Sequence, residues 1–417
     1  MGKTDRRCAG ISWEREDMRE IKGKYLLVLI AVCGMASTTL GMMTNVAGVF
    51  FTPMAAEFGI GRGSAALTLT IGNLAYAVAG MFNRRLVNEG NFKRVVVLGT
   101  ILLVVSTAAM CVAPNIWMLY ALNVIRGAAG GILGTVLVTT IINNWLYVAA
   151  GISTSIAMAC SGLVGALMSP VLTAIINATS WRTGYLVAAI GIGLLNLPAI
   201  IFPLSLTPEK YGLPPLGSTG NTRSAASAAH TDAAGHDRHL FLLLLVYGMV
   251  FAGICAIPQH FPGLSESYGI AAAGSVMLSI CMIFNTGGKL LMGVIIQRFG
   301  TRQAILLSTS LVFLGLLGLA LLRGQAAMMV CAALIGFSYS QGSVGVVMAT
   351  SELFGVKRYS AVYPKISLGT TLGNAGSATL IGFLYDISGG YAITLWLYFG
   401  LAALGIVCAM LAYKRGI

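Results

Sequence analysis

Twelve long apolar runs, each bounded by charge, Pro or Gly, leave this chain few ways to fold. They lie at about residues 25–50, 64–83, 93–113, 116–141, 148–177, 183–205, 240–261, 271–296, 303–322, 326–350, 360–385 and 390–413. A helix needs roughly 20 apolar residues to cross the hydrocarbon core of a bilayer, and only helices and closed barrels satisfy their own backbone there. The expected fold is an all-α integral membrane protein of twelve transmembrane helices. Composition agrees: 57% of residues are hydrophobic and 9% charged, too few polar groups to coat a soluble chain of 417 residues. The 52 glycines suit close approach of helix backbones in lipid.

One long polar interruption runs from Thr207 to Arg238, with Pro208, Pro214 and Pro215 early and an Ala/Ser/Thr-rich stretch after them. It divides the spans six and six. The expected organisation is an N-terminal segment 1–24, a six-helix bundle 25–205, a linker 206–239, a second bundle 240–413 and a tail 414–417. The bundles echo each other. Asn88 to Arg94 follows the second span as Gln297 to Arg302 follows the eighth, and a fifth span with Gly162, Gly165 and Pro170 is matched by an eleventh with Gly369, Gly373 and Gly376. Such pseudo-symmetry predicts a ligand site between the bundles near the bilayer midplane.

Basic residues set the orientation. With a cytoplasmic N-terminus, 20 of the 26 Lys and Arg fall on the inner side and three, Arg62, Arg182 and Arg323, on the outer. This is the positive-inside pattern, with both termini cytoplasmic, and it accounts for most of the net charge of +13. Basic residues lying between apolar runs form no face for a phosphate backbone, so nucleic acid is excluded as a partner. The first 24 residues are polar, and the apolar run after them is too long for a signal peptide.

Three cations remain inside the spans: Arg126, Lys289 and Lys365. All 13 acidic residues fall in loops or at span ends, so no carboxylate lies at depth to neutralise them. A buried charge without a counter-ion is costly, and such cations are expected to face a water-filled cavity and meet an anionic ligand there. Lys289 lies about eight residues, or roughly 12 Å of helix, from the inner end of its span, deep for a snorkelling side chain. Lys365 follows Pro364 nearer its end, where snorkelling is open to it. Arg126, in a Gly-rich stretch, fits either a ligand role or a brace on backbone carbonyls.

Other polar residues carry less. His230, His236 and His239 read as a solvated linker at no metal-ligand spacing, and His260 as an interfacial side chain satisfied by water. The eight cysteines read as packing residues. No nucleophile, zinc or phosphate-loop pattern appears, so neither an enzyme nor a cofactor is expected. Phe50, Phe51, Tyr76, Tyr247, Phe251, Tyr339 and Tyr363 are candidates to line a cavity, or to pack.

Over almost its whole length the sequence resembles the major facilitator superfamily. The loop pattern of that family appears as Gly293-Val-Ile-Ile-Gln297-Arg298-Phe299-Gly300-Thr301-Arg302, with Gln297 at the acidic position; the first-half copy is more degenerate, with Arg84 at the Gly position and Asn88 at the acidic one. The resemblance implies a gating role for Asn88, Gln297, Arg298 and Arg302. The Arg126 stretch and Gly162-Leu-Val-Gly165-Ala-Leu-Met-Ser-Pro170 are similar to the fourth- and fifth-span motifs.

Within the superfamily the chain looks most like the oxalate/formate antiporter family and, more loosely, monocarboxylate transporters. Phe284-Asn285-Thr-Gly287-Gly288-Lys289 matches a run whose Arg binds a substrate carboxylate, and Lys365 before Gly369 and Gly373 matches an essential Lys. Pocket aromatics of those carriers fall on Asn45, Phe50 and Gly134, and a Trp falls near Tyr339. The missing ring at Gly134 predicts a larger cavity, and Lys in place of Arg at 289 trades a planar fork for a point charge. The expected substrate is an organic carboxylate larger or less planar than oxalate, bound through Lys289, Lys365 and Arg126 with Asn45, Phe50 and Tyr339. The expected protein is a monomeric cell-membrane carrier, working as an anion exchanger. A proton-coupled monocarboxylate symporter and a non-transporting sensor of the same fold stand as alternatives, while efflux of cationic compounds conflicts with the missing membrane acids.

Overall fold

The computed structural model describes residues 15–146, 150–202, 204–213, 216, 238–342 and 345–415, and every regular element among them is helical. Eleven helices are long and apolar enough to cross a membrane. They are span 1, Gly23–Asn45; span 2, Arg62–Met81; span 3, Phe92–Val112; span 4, Ile116–Trp145; span 5, Ala150–Ala178; span 6, Trp181–Ile201; span 7, Arg238–Ser267; span 8, Ala273–Phe299; span 9, Thr301–Leu321; span 10, Gln325–Gly355; and span 12, Ala392–Lys414. The remaining expected crossing, span 11, is the leg of residues 356–388 in the helix Gly345–Ser388, where Thr370, Thr371, Asn374 and Ser377 dilute the apolar content. Gly355 turns span 10 into span 11 at φ 69° and ψ 162°, backbone space that side chains with a Cβ avoid. Most of the segments 1–24 and 206–239, with His230 and His236, and the end of the tail lie outside the described residues.

Exposed apolar rows mark the lipid-facing helices. Leu98, Ile101, Leu102 and Val105 line one face of span 3, Leu186, Ile190, Leu194 and Leu197 one face of span 6, and Trp396, Leu397, Leu404, Val407 and Leu411 span 12. Facing inward, Met35, Leu103, Leu133, Trp145 and Ile192 form a core among spans 1–6. A larger core gathers Tyr247, Phe251, Leu278, Leu316, Ile335 and Tyr398 and reaches across to Phe50, Met54 and Trp181.

Spans 1, 4, 7 and 10 are not continuous α-helices. Span 1 becomes a π-helix over Ser37–Asn45 and restarts as an α-helix at Gly48–Phe58. In span 4 the break is at Gly134 (φ −80°, ψ −151°), between Ile116–Leu133 and Thr135–Trp145. Span 7 passes through a 3-10 turn, Ile257–His260, before Phe261–Ser267, and span 10 through another at Tyr339–Gly342. Each break frees backbone groups at a depth where water cannot serve them, so side chains must. The Tyr76 hydroxyl accepts from the Thr135 N–H at 2.8 Å, and the Gln259 side-chain oxygen from the Gly48 N–H at 2.9 Å. Gln341 holds span 10 by donating to the Tyr247 hydroxyl (2.6 Å), Thr309 Oγ1 (2.9 Å) and the Ile305 carbonyl (3.2 Å).

The two ends of the bundle are tied differently. At the linker end Trp145 meets the rings of Tyr25 and Tyr211 and donates from Nε1 to the Ser205 carbonyl at 2.9 Å. At the far end Arg182 pairs with Glu57 (2.7 Å) and donates to the Cys111 and Ala113 carbonyls (2.8 and 2.9 Å), joining the ends of three helices. Hydrogen bonds from Arg182 hold the Glu57 carboxyl below its ordinary value. A depressed carboxyl stabilises the fold above its ordinary pKa, about 4.3, and that stabilisation is lost as pH falls through the folded value. Because the pair is largely exposed, its worth is about 1 kcal/mol or less. Glu57→Gln should therefore lower the melting temperature slightly at pH 7, and the difference from wild type should vanish at acid pH; a thermal shift series across pH checks this.

Candidate functional site

Spans 1–6 and 7–12 meet over the far-end part of their length. Asp386 accepts from the Arg62 and Gly63 N–H groups, both at 2.8 Å, so a carboxylate from span 11 caps the N-terminus of span 2. Arg62 in turn donates to Glu266 (2.8 Å), the Gly263 carbonyl (3.1 Å) and the Tyr391 hydroxyl (3.2 Å), and its guanidinium lies 4.1 Å from the centre of the Tyr385 ring. Deeper in, Thr70 bonds Thr379 Oγ1 (2.7 Å) and the Ala375 carbonyl, and Ser279 donates to the Ala166 carbonyl (2.7 Å). Thr286 reaches the Ala159 carbonyl at 3.2 Å. Spans 2 and 11 approach closely enough that a Cβ at Gly382 would lie 2.6 Å from the Gly63 Cα. Linker-ward of Thr286, span 8 exposes Leu290, Leu291, Val294 and Gln297.

Lys289 sits one turn past Thr286, where this join ends. It is half-buried, and among the described residues it has no hydrogen bond or ion pair. Cys281, Asn285 and Lys289 follow one another at intervals of four, forming a single ridge of span 8. That ridge runs beside span 10. A Cβ at Gly336 would strike the Cys281 backbone, and one at Gly288 the Phe337 backbone. The broken part of span 10 brings Tyr339 to span 7, where the Cys255 thiol donates to the Tyr339 carbonyl at 3.8 Å and lies within electrostatic reach of Lys289.

Asn285 has no exposed surface. Its Nδ2 donates weakly to the Met282 sulfur at 3.9 Å, and among the described residues its Oδ1 has no partner. Leaving such an acceptor unmet costs about 1–3 kcal/mol.

The other expected site residues are dispersed. Lys365 is exposed on span 11, on the stripe of the exposed Leu368 and Leu372, and shares no hydrogen bond or ion pair with Lys289. Arg126 points into spans 1–6: it is buried, donates from Nη2 to the Met42 carbonyl in the π-helical stretch at 3.1 Å, and leaves Nε without a partner. Asn45 donates to the Ser161 carbonyl at 3.0 Å and accepts at its own carbonyl from Gln259 at 3.5 Å, bridging spans 1, 5 and 7. Phe50 is buried and stacks on Tyr185, ring centres 4.2 Å apart.

Asn88 is exposed and trades hydrogen bonds with Asn91 (2.9 and 3.0 Å) in the turn that opens span 3. Gln297, Arg298 and Arg302 are exposed at the linker end.

Two expectations are corrected. His260 is not satisfied by water: it is buried and its Nε2 pairs with the Ala378 carbonyl at 2.9 Å, because the 3-10 turn of span 7 swings it against span 11. Nor does Gly134 leave extra room, since the Tyr76 hydroxyl fills the space a side chain would take. Cys255 and the unpartnered Asn285 oxygen were not legible as site features. The only signal in reach was Pro258, which breaks an apolar run and so predicts the turn beside Cys255.

The model of the major facilitator superfamily matches residues 31–363. This chain belongs to the major facilitator superfamily, and it is a multi-pass membrane transporter rather than an enzyme. Solved structures share the fold at low identity. A mutant of the nucleoside transporter NupG has a TM-score of 0.69 and 14% identity, over 94% of this chain and 99% of the other. The xylose transporter XylE from E. coli, inward open, has 0.64 and 13% over 94% and 96%, and an occupied, inward-facing bacterial homolog of the human lysosomal transporter Spinster has 0.63 and 10% over 97% of each chain. No curated protein matches the chain.

The cap on span 2 joins helices of the two sets. Removing it should release the far end. An N-cap carboxylate is worth about 0.5–2 kcal/mol, enough to change a two-state population roughly twofold to thirtyfold. Asp386→Ala should lengthen the distance between spin labels on the far-end loops of spans 1–6 and 7–12; an unchanged distance distribution would show that the cap does not hold the two sets together.

Proposed function

We propose that this protein is a secondary transporter of the cell membrane that carries an organic carboxylate by alternating access, exchanging one anion for another. The observation that carries the reading is Lys289, an ammonium within the bundle with no counter-charge among the described residues, placed where the join between spans 1–6 and 7–12 gives way. Two unit charges 4 Å apart attract by about 1 kcal/mol in water and about 4 kcal/mol at the effective dielectric of a partly enclosed site. A carboxylate on Lys289 is thus held more tightly as the cavity narrows, whereas an empty cavity must enclose a bare cation. Closure is favoured when loaded, and exchange follows from that preference. The resemblance of Phe284-Asn285-Thr-Gly287-Gly288-Lys289 to the oxalate-carrier run supports a carboxylate in particular.

Lys365 supplies a second positive charge from the exposed side of span 11, and Arg126 adds field while bracing span 1. Asn45 and Tyr339, at the breaks of spans 1 and 10, border the path of the substrate, and Phe50 backs it from the core. Asn88, Gln297, Arg298 and Arg302, exposed at the linker end, are assigned the gating role. The charge asymmetry of the loops supports cytoplasmic termini, and the monomer is the working unit.

Uptake of labelled oxalate, formate, lactate and larger carboxylates into proteoliposomes tests this directly. Uptake should need an internal anion and ignore an imposed proton gradient; uptake driven by the gradient alone would mean a proton-coupled symporter. Removing one partner of a close charge pair costs about 2–5 kcal/mol, so Lys289→Gln should reduce uptake by roughly 30-fold or more, with Lys289→Arg restoring part of it. Normal uptake by Lys289→Gln would end the carboxylate reading.

A further inference from the structure

We infer that the substrate is a hydroxy-carboxylate: its carboxylate pairs with Lys289, and its hydroxyl donates to the Asn285 side-chain oxygen one turn away on the same ridge of span 8. This rests on the carboxylate reading and narrows it. The two groups have opposite needs. Lys289 offers N–H donors and makes no hydrogen bond among the described residues. Asn285 Oδ1 is a fully covered acceptor with no donor among the described residues. One ligand meets both needs if it carries an anionic acceptor and, a few ångströms from it, a neutral donor.

The spacing suits a small molecule. Side chains four apart on a helix have Cβ atoms about 5–6 Å from each other, and the long lysine stem can bring its ammonium closer to or farther from the amide. A carboxylate with a hydroxyl on the next carbon, or one further along, spans that gap. An unsubstituted carboxylate satisfies Lys289 and leaves the amide oxygen unmet. Because Asn285 is fully covered where span 8 packs against span 10 at Gly336 and Phe337, a ligand reaches Oδ1 only as that packing rearranges, so the hydroxyl is sensed during the conformational change.

Nearby aliphatic and thiol groups make the choice more specific. Besides Lys289, the ridge and its neighbours present Met282, Cys281 and Cys255, which are poor hydrogen-bond partners. On the ridge itself a ligand hydroxyl has Asn285 as its strong acceptor, with the Tyr339 hydroxyl the other polar group nearby, and a second carboxylate has no cation on this ridge beyond Lys289.

The test is competition in proteoliposomes of the full chain, using pairs that differ by one hydroxyl: glycolate against acetate, lactate against propionate, malate against succinate. A site built to receive a hydroxyl discriminates strongly against the analogue that lacks it, so the hydroxy acid of at least one pair should inhibit or exchange about tenfold better or more. Asn285→Leu should erase that difference, bringing the hydroxy acid down to the potency of its unsubstituted partner. Equal potency within all three pairs overturns the hydroxyl assignment and leaves the carboxylate reading standing. Failure of every acid in wild type overturns the carboxylate reading and this inference with it. Should Asn285→Leu not fold, the wild-type pairs alone still decide.

Discussion

In hydrocarbon, a backbone N–H or C=O that lacks a partner has no water to fall back on, and the architecture of this protein follows from where that rule is bent. Spans 6, 9 and 12 keep unbroken α-helices, span 3 departs only in its final 3-10 turn Met110–Val112, and these spans turn apolar side chains to lipid. Spans 1, 4, 7 and 10 interrupt theirs, and each interruption with a described repair is served by a side chain from another helix: Tyr76 for span 4, Gln259 for span 1, Cys255 for span 10. The breaks recur three spans apart, so the irregular backbone gathers toward the interior. Bent helices with displaced backbone groups are what a polar ligand needs in a bilayer.

The same rule separates the buried cations. Arg126 finds a carbonyl that the π-helical stretch of span 1 leaves available, and becomes part of the protein's own bracing. Lys289 finds no such carbonyl among the described residues; the group within its electrostatic reach is the Cys255 thiol. Charge type is identical in the two cases; surroundings decide which cation is structural and which is left for a ligand.

Closure at the far end rests on a different economy. Asp386 and Glu266 lie at helix ends, near water, where carboxylates are tolerated, and they draw Arg62 and the N-terminus of span 2 across the boundary between the two sets of spans. Glycines at 63 and 382 let the backbones touch beneath that cap. At Thr70 and Thr286 the contacts rely on single hydroxyl groups, so the join weakens toward the linker end, in the direction of Lys289.

What the sequence determined by itself was the number and placement of the spans, the six-and-six echo, and the absence of any carboxylate to match Arg126, Lys289 and Lys365. These are one-dimensional properties: hydropathy over about 20 residues and the positions of charges. Even the polarity of span 11 and the turn after Pro258 could be read locally. Tertiary structure alone decided that Arg126 turns inward to Met42, that Phe50 stacks on Tyr185, that His260 is enclosed, and that the space beside Gly134 belongs to Tyr76. Partners in each of these pairs come from different helices, and no helical period specifies which neighbour a side chain will meet. Asn285 shows the limit most clearly, since a polar residue in an apolar run is visible in sequence, but its unmet oxygen exists only once every nearby donor has been placed.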